Sequence, residues 1–248
     1  MKIAFWGDSL TEGQIGCSYF NNLTDRLPDH TLINYGRGGD TVISLHKRIL
    51  RMEPLDPMDM AFLWIGTNDV FLGASFSLRV IGFLRRLPTS RNNSEFKEHY
   101  QSILSILSQS AGVVVTVPPI LIGEDLDNPW NHEIVVLAQS IKELTALHEN
   151  VTYLDLRTPF VIRLAQKRPS QYLPVSALQI VRGEMTLKTS AQIDRQADER
   201  GLHVTLDGVH LNSTGAELVA NEFMESITSG NAVSDRSQPV EFEQQFGH

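Results

Sequence analysis

One cysteine in 248 residues, Cys17, leaves no pair for an internal disulfide. There is no CxxC motif and no His-rich cluster, so a structural zinc site has no ligand set. Long apolar runs are missing too, and none approaches the roughly 18 residues that span a bilayer. Basic residues are outnumbered: Lys and Arg total 21 against 29 Asp and Glu, a net charge of −8. Such a surface repels phosphate backbones and anionic lipid, which argues against a general nucleic-acid or membrane-surface binder. Gly36-Arg37-Gly38-Gly39 is not a GxGxxG fingerprint and no Walker A sequence exists, so nothing asks for a nucleotide or metal cofactor. Met1–Trp6 runs straight into a strand-like segment without a long apolar h-region or a small-residue cleavage site. The expectation is therefore a cytoplasmic protein.

What remains is the composition of a globular protein with a sizeable core, 42% hydrophobic and 20% charged. Short apolar runs at 2–6, 31–35, 60–65, 113–117 and 151–156 read as strands buried on both faces. Helix-like stretches lie between them at about 15–26, 41–52, 95–110 and 132–148. In the last of these Ile134, Leu137, Ile141, Leu144 and Leu147 form one apolar stripe. A final helix over about 214–228 opens on Thr214-Gly215-Ala216-Glu217, which has the form of a capping box. Repeated βα units predict a parallel sheet covered by helices on both faces, a three-layer α/β/α sandwich. No linker divides the pattern, so one domain over 1–229 is expected. Residues 157–203 read as an insertion with amphipathic stretches at 159–168 and 175–197, suited to a lid, a dimer contact or plain surface elaboration. The polar tail 230–248 is expected to be loosely ordered.

Four short motifs punctuate this frame. Gly7-Asp8-Ser9-Leu10 follows the first strand, Asn34-Tyr35-Gly36-Arg37-Gly38-Gly39-Asp40-Thr41 the second, and Gly66-Thr67-Asn68-Asp69 the third. Asp207-Gly208-Val209-His210-Leu211-Asn212 precedes the last helix. Each has a structural reading on its own. Ser9-Leu10-Thr11-Glu12 is also a capping box, Asp40 and Asn68 suit N-caps, and Asp207-Gly208 is a common turn pair. A strand order of 2-1-3-4-5 would nevertheless bring Ser9, Gly39 and Asn68 to one point, beyond the carboxyl ends of the strands where the order reverses.

In order and approximate spacing, these motifs resemble the four blocks of the SGNH/GDSL hydrolase family of esterases and lipases, over most of the chain. The resemblance implies a flavodoxin-like fold with a five-stranded parallel sheet. It implies Ser9 as nucleophile, Asp207 and His210 as the rest of a triad, and Ser9, Gly39 and Asn68 as donors of an oxyanion hole.

The chemistry is consistent with those types. A serine hydroxyl needs an adjacent base, and a neutral imidazole, with an ordinary pKa near 6.5, supplies one. A carboxylate would hold that imidazole in the right tautomer, and fixed N–H donors would receive the tetrahedral oxyanion. The expected reaction is cleavage of carboxylic esters, with short-chain acyl or acetyl groups and acetylated sugars as candidate substrates. Acyl transfer from the same intermediate and a non-catalytic binding role are the alternatives. Tyr35, Arg37, Phe71 and Trp130 are candidate substrate-binding residues on the rim. Asp8, Asp40 and Asp69 read as capping or hydrogen-bonding residues, His203 as lying at the surface or just behind the triad, and His46, His99, His132 and His148 as solvated. The partner is a small-molecule ester, and homo-oligomerisation stays open.

Overall fold

A computed structural model of the protein describes residues 1–73, 88–170, 172, 187 and 189–234. Strands β1 (Lys2–Gly7), β2 (Thr31–Gly36), β3 (Met58–Trp64), β4 (Ala111–Val117) and β5 (Val151–Tyr153) form one sheet in the order β2-β1-β3-β4-β5, all neighbours parallel. Among the described residues the helices are α1 (Ser9–Glu12), α2 (Tyr19–Arg26), α3 (Val42–Leu50), α4 (Thr67–Gly73), α5 (Asn93–Ser110), α6 (Pro129–Thr145), α7 (Arg157–Ala165), α8 (Ser190–Glu199) and α9 (Ser213–Ser234). The arrangement is a three-layer α/β/α sandwich.

Strand periodicity divides the core between the two faces of the sheet. Ile3 and Phe5 of β1 and Phe62 and Trp64 of β3 point to one side, where α2, α7 and α9 supply Leu23, Phe160 and Phe223. Phe62 stacks between Phe5, at 5.0 Å, and Phe223, at 4.6 Å. Ala4, Trp6, Ala61 and Leu63 point to the other side and meet α3, α5 and α6 through Leu45, Leu104 and Ile141. Side chains that alternate at a period of two and find apolar partners on both sides explain why these strands read as continuous apolar runs.

Several element boundaries differ from the sequence reading for local reasons. The fifth strand stops at Tyr153 because Asp155 turns the chain, accepting from the Thr158 N–H at 3.2 Å and its hydroxyl at 2.7 Å, and α7 begins. Pro159 is tolerated there because the first turn of a helix has no use for its N–H. Helix α6 starts three residues earlier than expected, with Asn128 as N-cap and Pro129 in the first turn. The Thr214–Glu217 capping box does not form. Asn212 caps α9 instead, its side chain accepting from Gly215 N–H at 3.0 Å, while Glu217 pairs with Arg26 of α2. A side chain at Gly215 would collide with the Val204 carbonyl, which is why that position has none.

Three of the histidines expected on solvated faces are not there, His148 being half-buried with its Nε2 shut off from solvent. His46 of α3 and His99 of α5 are half-buried and meet Nδ1 to Nδ1 at 2.8 Å between their helices. Burial, and then the charge of His99, hold His46 below the ordinary imidazole range. Of the insertion, 157–170, 172, 187 and 189–203 are described, and the predicted amphipathic stretch at 175–197 resolves into α8 over its described part. The remainder of that stretch and residues 235–248 of the tail lie outside the described residues, while 230–234, expected in the loose tail, continue α9. Among the described residues no helix is long and apolar enough to cross a membrane.

Candidate active site

Because β1 lies between β2 and β3, the segments leaving these three strands share one end of the sheet. Leaving β1, Asp8 caps α1 by accepting from Leu10 N–H at 3.0 Å. The cap is Asp8 and not Ser9, so the Ser9 hydroxyl is spared that duty. Ser9 is half-buried, and its own N–H has no partner among the described residues. Glu12, the other half of the expected capping box, reaches instead to the Gly38 N–H at 3.1 Å.

Leaving β2, Arg37–Asp40 form a turn closed by Asp40 N–H to the Arg37 carbonyl at 3.1 Å. Gly39 stands at the third position of that turn with φ +79°, a conformation that disfavours any side chain. No hydrogen bond uses the Gly39 N–H among the described residues. Gly36 packs on the backbone of Thr11 and Glu12 so closely that a Cβ would not fit, which seats the turn over α1. The expected N-cap Asp40 is replaced by Thr41, which forms a capping box with Ser44. Asp40 bonds Ser44 and pairs with Arg48 at 2.8 Å.

Leaving β3, Asn68 lies inside the first turn of α4 and does not cap it. Its Nδ2 donates to the Asp40 carbonyl at 2.9 Å and, weakly, to Asp8 Oδ2 at 3.4 Å. The second N–H is thus loosely engaged and can be given up to a stronger acceptor. Asp69 accepts from Val42 N–H at 2.9 Å and from the Ser90 hydroxyl at 3.2 Å. Burial pushes the carboxyls of both Asp8 and Asp69 up to about 7. For Asp8, the Leu10 N–H and the charge of His210 oppose the rise.

The last motif meets these strand exits from a loop. Thr205 and Leu211 form an antiparallel bridge, and Leu206 N–H donates to the His210 carbonyl at 2.7 Å, so residues 207–210 project as a tight turn. Asp207 Oδ1 accepts from the N–H groups of Val209, at 2.9 Å, and His210, at 2.7 Å. Its Oδ2 lies 2.7 Å from His210 Nδ1, and His210 Nε2 lies 2.9 Å from Ser9 Oγ. Burial alone would raise the fully buried Asp207 carboxyl, but the imidazole and the two backbone N–H groups outweigh it and hold it below the usual range. A carboxylate, an imidazole and a hydroxyl in one hydrogen-bonded line can pass a proton away from oxygen and hold the resulting imidazolium. The three residues are 201 positions apart at the extremes, and the fold brings them together.

The rim candidates divide. Arg37 is exposed on the turn. Phe71 is buried and packs with Leu72, Ile122 and Ile134, and half-buried Trp130 leans on it at 6.1 Å between ring centres. Ile15 and Val209 join that cluster, which therefore reaches the Asp207–His210 turn. Tyr35 requires correction. Its ring stacks 4.0 Å from Trp6 and lines a cavity of about 160 Å³ along β1 with Lys2, Ala4 and Met52, so it serves the core and not the cleft. His203 gives its N–H to Glu124 and sets Nε2 3.2 Å from the Arg168 carbonyl. Glu124, which accepts from the N–H groups of His203, Val204 and Thr205, and Arg200, whose guanidinium donates to the Leu206 carbonyl at 2.8 Å, hold the loop that carries Asp207, and neither stands in a motif. The only trace of Glu124 is an acidic residue one glycine beyond the apolar run Ile120–Ile122. Among the described residues no group of His, Cys, Asp and Glu side chains is arranged to hold a metal ion.

A family model described as the GDSL-like Lipase/Acylhydrolase family matches residues 5–218. No curated protein matches the sequence. Among solved structures, the acetyl xylan esterase AlAXEase is 22% identical, covers 92% of this chain and 100% of its own, and superposes with a TM-score of 0.64. Axe2, an acetylxylan esterase from Geobacillus stearothermophilus, is 18% identical over 91% of this chain and 93% of its own, with a TM-score of 0.63. LAE5, an alpha/beta hydrolase enzyme from the metagenome of Lake Arreo, Spain, is 18% identical over 92% and 94%, with a TM-score of 0.63. At these identities the likeness speaks for the fold.

Proposed function

The chain belongs to the GDSL-like lipase/acylhydrolase family and is a carboxylic ester hydrolase, and we propose that it cleaves short-chain acyl and acetyl esters, acetylated sugars among them, through an acyl-enzyme on Ser9. The observation that carries the reading is the unbroken line from Asp207 through His210 to Ser9, with contacts of 2.7 and 2.9 Å. In the first half-reaction Ser9 Oγ attacks the ester carbonyl while His210 Nε2 takes its proton. Asp207 keeps the Nδ1 proton in place and balances the imidazolium. The carbonyl oxygen, now negative, accepts from the N–H of Ser9, the N–H of Gly39 and the Asn68 amide. The first two have no other partner among the described residues. Collapse of the tetrahedral species breaks the bond to the alcohol, which leaves with the proton from His210. A water then repeats the sequence on the acyl-serine, and the carboxylic acid departs.

Substrate class is supported from two sides. The apolar cluster that includes Val209, Ile15 and Trp130 stands next to the triad loop and suits a small apolar group on the ester. Two of the structural neighbours carry names that specify acetyl esters of xylan. Ser9→Ala tests the reading. Hydrolysis of p-nitrophenyl acetate is expected to fall by about 10⁴-fold or more with the fold intact, and covalent labelling by a fluorophosphonate to vanish. Persistent turnover in the folded variant would reject the assignment. A series of acyl lengths beside acetylated xylo-oligosaccharides then separates short-chain from acetyl-sugar preference.

A further inference from the structure

Glu124 sits on the loop after β4, 2% exposed, and among the described residues no cation pairs with it. A carboxylate so placed loses its hydration and must recover it from donors. Glu124 has four. Oε2 accepts from His203 N–H at 2.7 Å, and Oε1 accepts from the N–H of Val204 at 2.9 Å, the N–H of Thr205 at 2.8 Å and the Thr205 hydroxyl at 2.7 Å. Three consecutive backbone N–H groups thus close around one anion, on the segment that leads into the triad turn.

The contact continues into that turn. With its hydrogen given to Glu124, the Thr205 hydroxyl has a lone pair free, and it accepts from the Gly208 N–H at 3.2 Å. Gly123, next to Glu124, donates its own N–H to the Gly208 carbonyl at 2.7 Å. Both peptide groups of Gly208 are therefore tied, directly or through one hydroxyl, to the loop after β4. Gly208 lies between Asp207, whose carboxylate holds His210, and the two N–H groups that hold that carboxylate.

We propose that Glu124 is the positioning residue of the Asp207–His210 turn, acting through Thr205 and Gly208 to set the imidazole against Ser9. The proposal rests on the hydrolase reading and adds to it a part that no triad or oxyanion donor supplies. A neutral amide does not replace it. A glutamine presenting its oxygen to Thr205 turns an NH₂ group toward the His203 N–H, donor against donor.

Steady-state kinetics on p-nitrophenyl acetate, together with the rate and end-point of fluorophosphonate labelling, test the idea. Glu124→Gln is expected to lower kcat by about 10–100-fold, the scale of a small misplacement of reacting groups, with KM within about twofold. Labelling should still reach one per chain, at a rate lowered with kcat. Thr205→Val should lose about tenfold in the same way, and Thr205→Ser should recover most of it. A purely structural role gives the opposite pattern, with fewer labelled chains and an unchanged kcat for each. Unchanged kcat per labelled chain in both Glu124→Gln and Thr205→Val overturns the proposal. If Glu124→Gln does not fold, the Thr205 pair decides alone. Failure of wild-type Ser9 to label would reject the hydrolase reading, and this inference with it.

Discussion

Ser9, Gly39 and Asn68 stand two, three and four residues past the ends of β1, β2 and β3, while Asp207 and His210 stand on a loop that joins no strand of the sheet. The first group inherits its position from the backbone ladders that join β2, β1 and β3, where many hydrogen bonds and two apolar faces share the load. The second is held by a short list of polar contacts, in which a few side chains each hold several groups at once. One half of the site is built into the fold and the other is tied to it. A substitution that leaves shape intact but changes a proton should therefore be felt most on the tied side.

Asp207→Asn puts the largest strain on that contrast. The N–H groups of Val209 and His210 both donate to Oδ1, so an asparagine keeps its carbonyl oxygen there and turns its NH₂ toward His210 Nδ1. The imidazole must then leave Nδ1 bare and carry its proton on Nε2, where it cannot accept from Ser9. The expected loss in kcat is about 10⁴-fold with little change in shape, the scale seen for the same change in serine proteases. Circular dichroism and kcat for p-nitrophenyl acetate check it, and a loss under tenfold would mean that the turn re-forms around the amide.

Asn68→Ala probes the built-in half. It removes a side chain held by the Asp40 carbonyl and leaves Ser9, His210 and the strand ends in place. Loss of one oxyanion donor is expected to lower kcat about 10²–10³-fold, below the cost of Asp207→Asn. If the two variants were equally damaged, the line between fold-borne and loop-borne parts would be drawn in the wrong place.

The same contrast governs what could be read from sequence. The apolar strand runs, their alternation with helices and the motifs at strand exits are local signals. They predict a parallel sheet of βα units, while the order 2-1-3-4-5 and the meeting of Ser9, Gly39 and Asn68 follow from the resemblance of those motifs to a known family. Boundaries were less legible where one side chain redirects the chain, as Asp155 does at the end of β5 and Asn212 at the start of α9. Tyr35 stands in a motif yet stacks on Trp6, because its place in the β1–β2 register sets its side chain on the face covered by α3. Glu124 left almost no trace, since its four donors lie about 80 residues away and its burial depends on the whole assembly. Patterns of period two and 3.6 report which face a side chain takes, and they carry no information on which distant backbone it will meet.

The variant mildest for activity changes stability alone. Asp69 is buried, and that burial lifts its carboxyl to about 7 in spite of bonds from Val42 and Ser90, against about 3.9 in an unfolded chain. A carboxyl raised on folding gives its full contribution below the unfolded value, where both states are protonated. As pH climbs from about 4 to 7 the unfolded chain ionises first, the folded chain holds the extra proton, and stability declines. A shift of that size corresponds to something on the order of 4 kcal/mol across the window. Asp207 works in the reverse sense, its depressed carboxyl costing stability only as pH falls through the folded value. Asn at position 69 keeps an acceptor for the Val42 N–H and does not ionise. Relative to wild type, Asp69→Asn should therefore melt several degrees higher at pH 8 than it does at pH 5, since about 1 kcal/mol moves Tm by 2–4 °C in a chain of this size. Asp8, raised to the same level in contact with Asn68, should keep part of the slope in the variant. Parallel melting curves for the two proteins from pH 5 to 8 would show that Asp69 is charged in the folded state throughout, and that burial at the exit of β3 is better compensated than its contacts suggest.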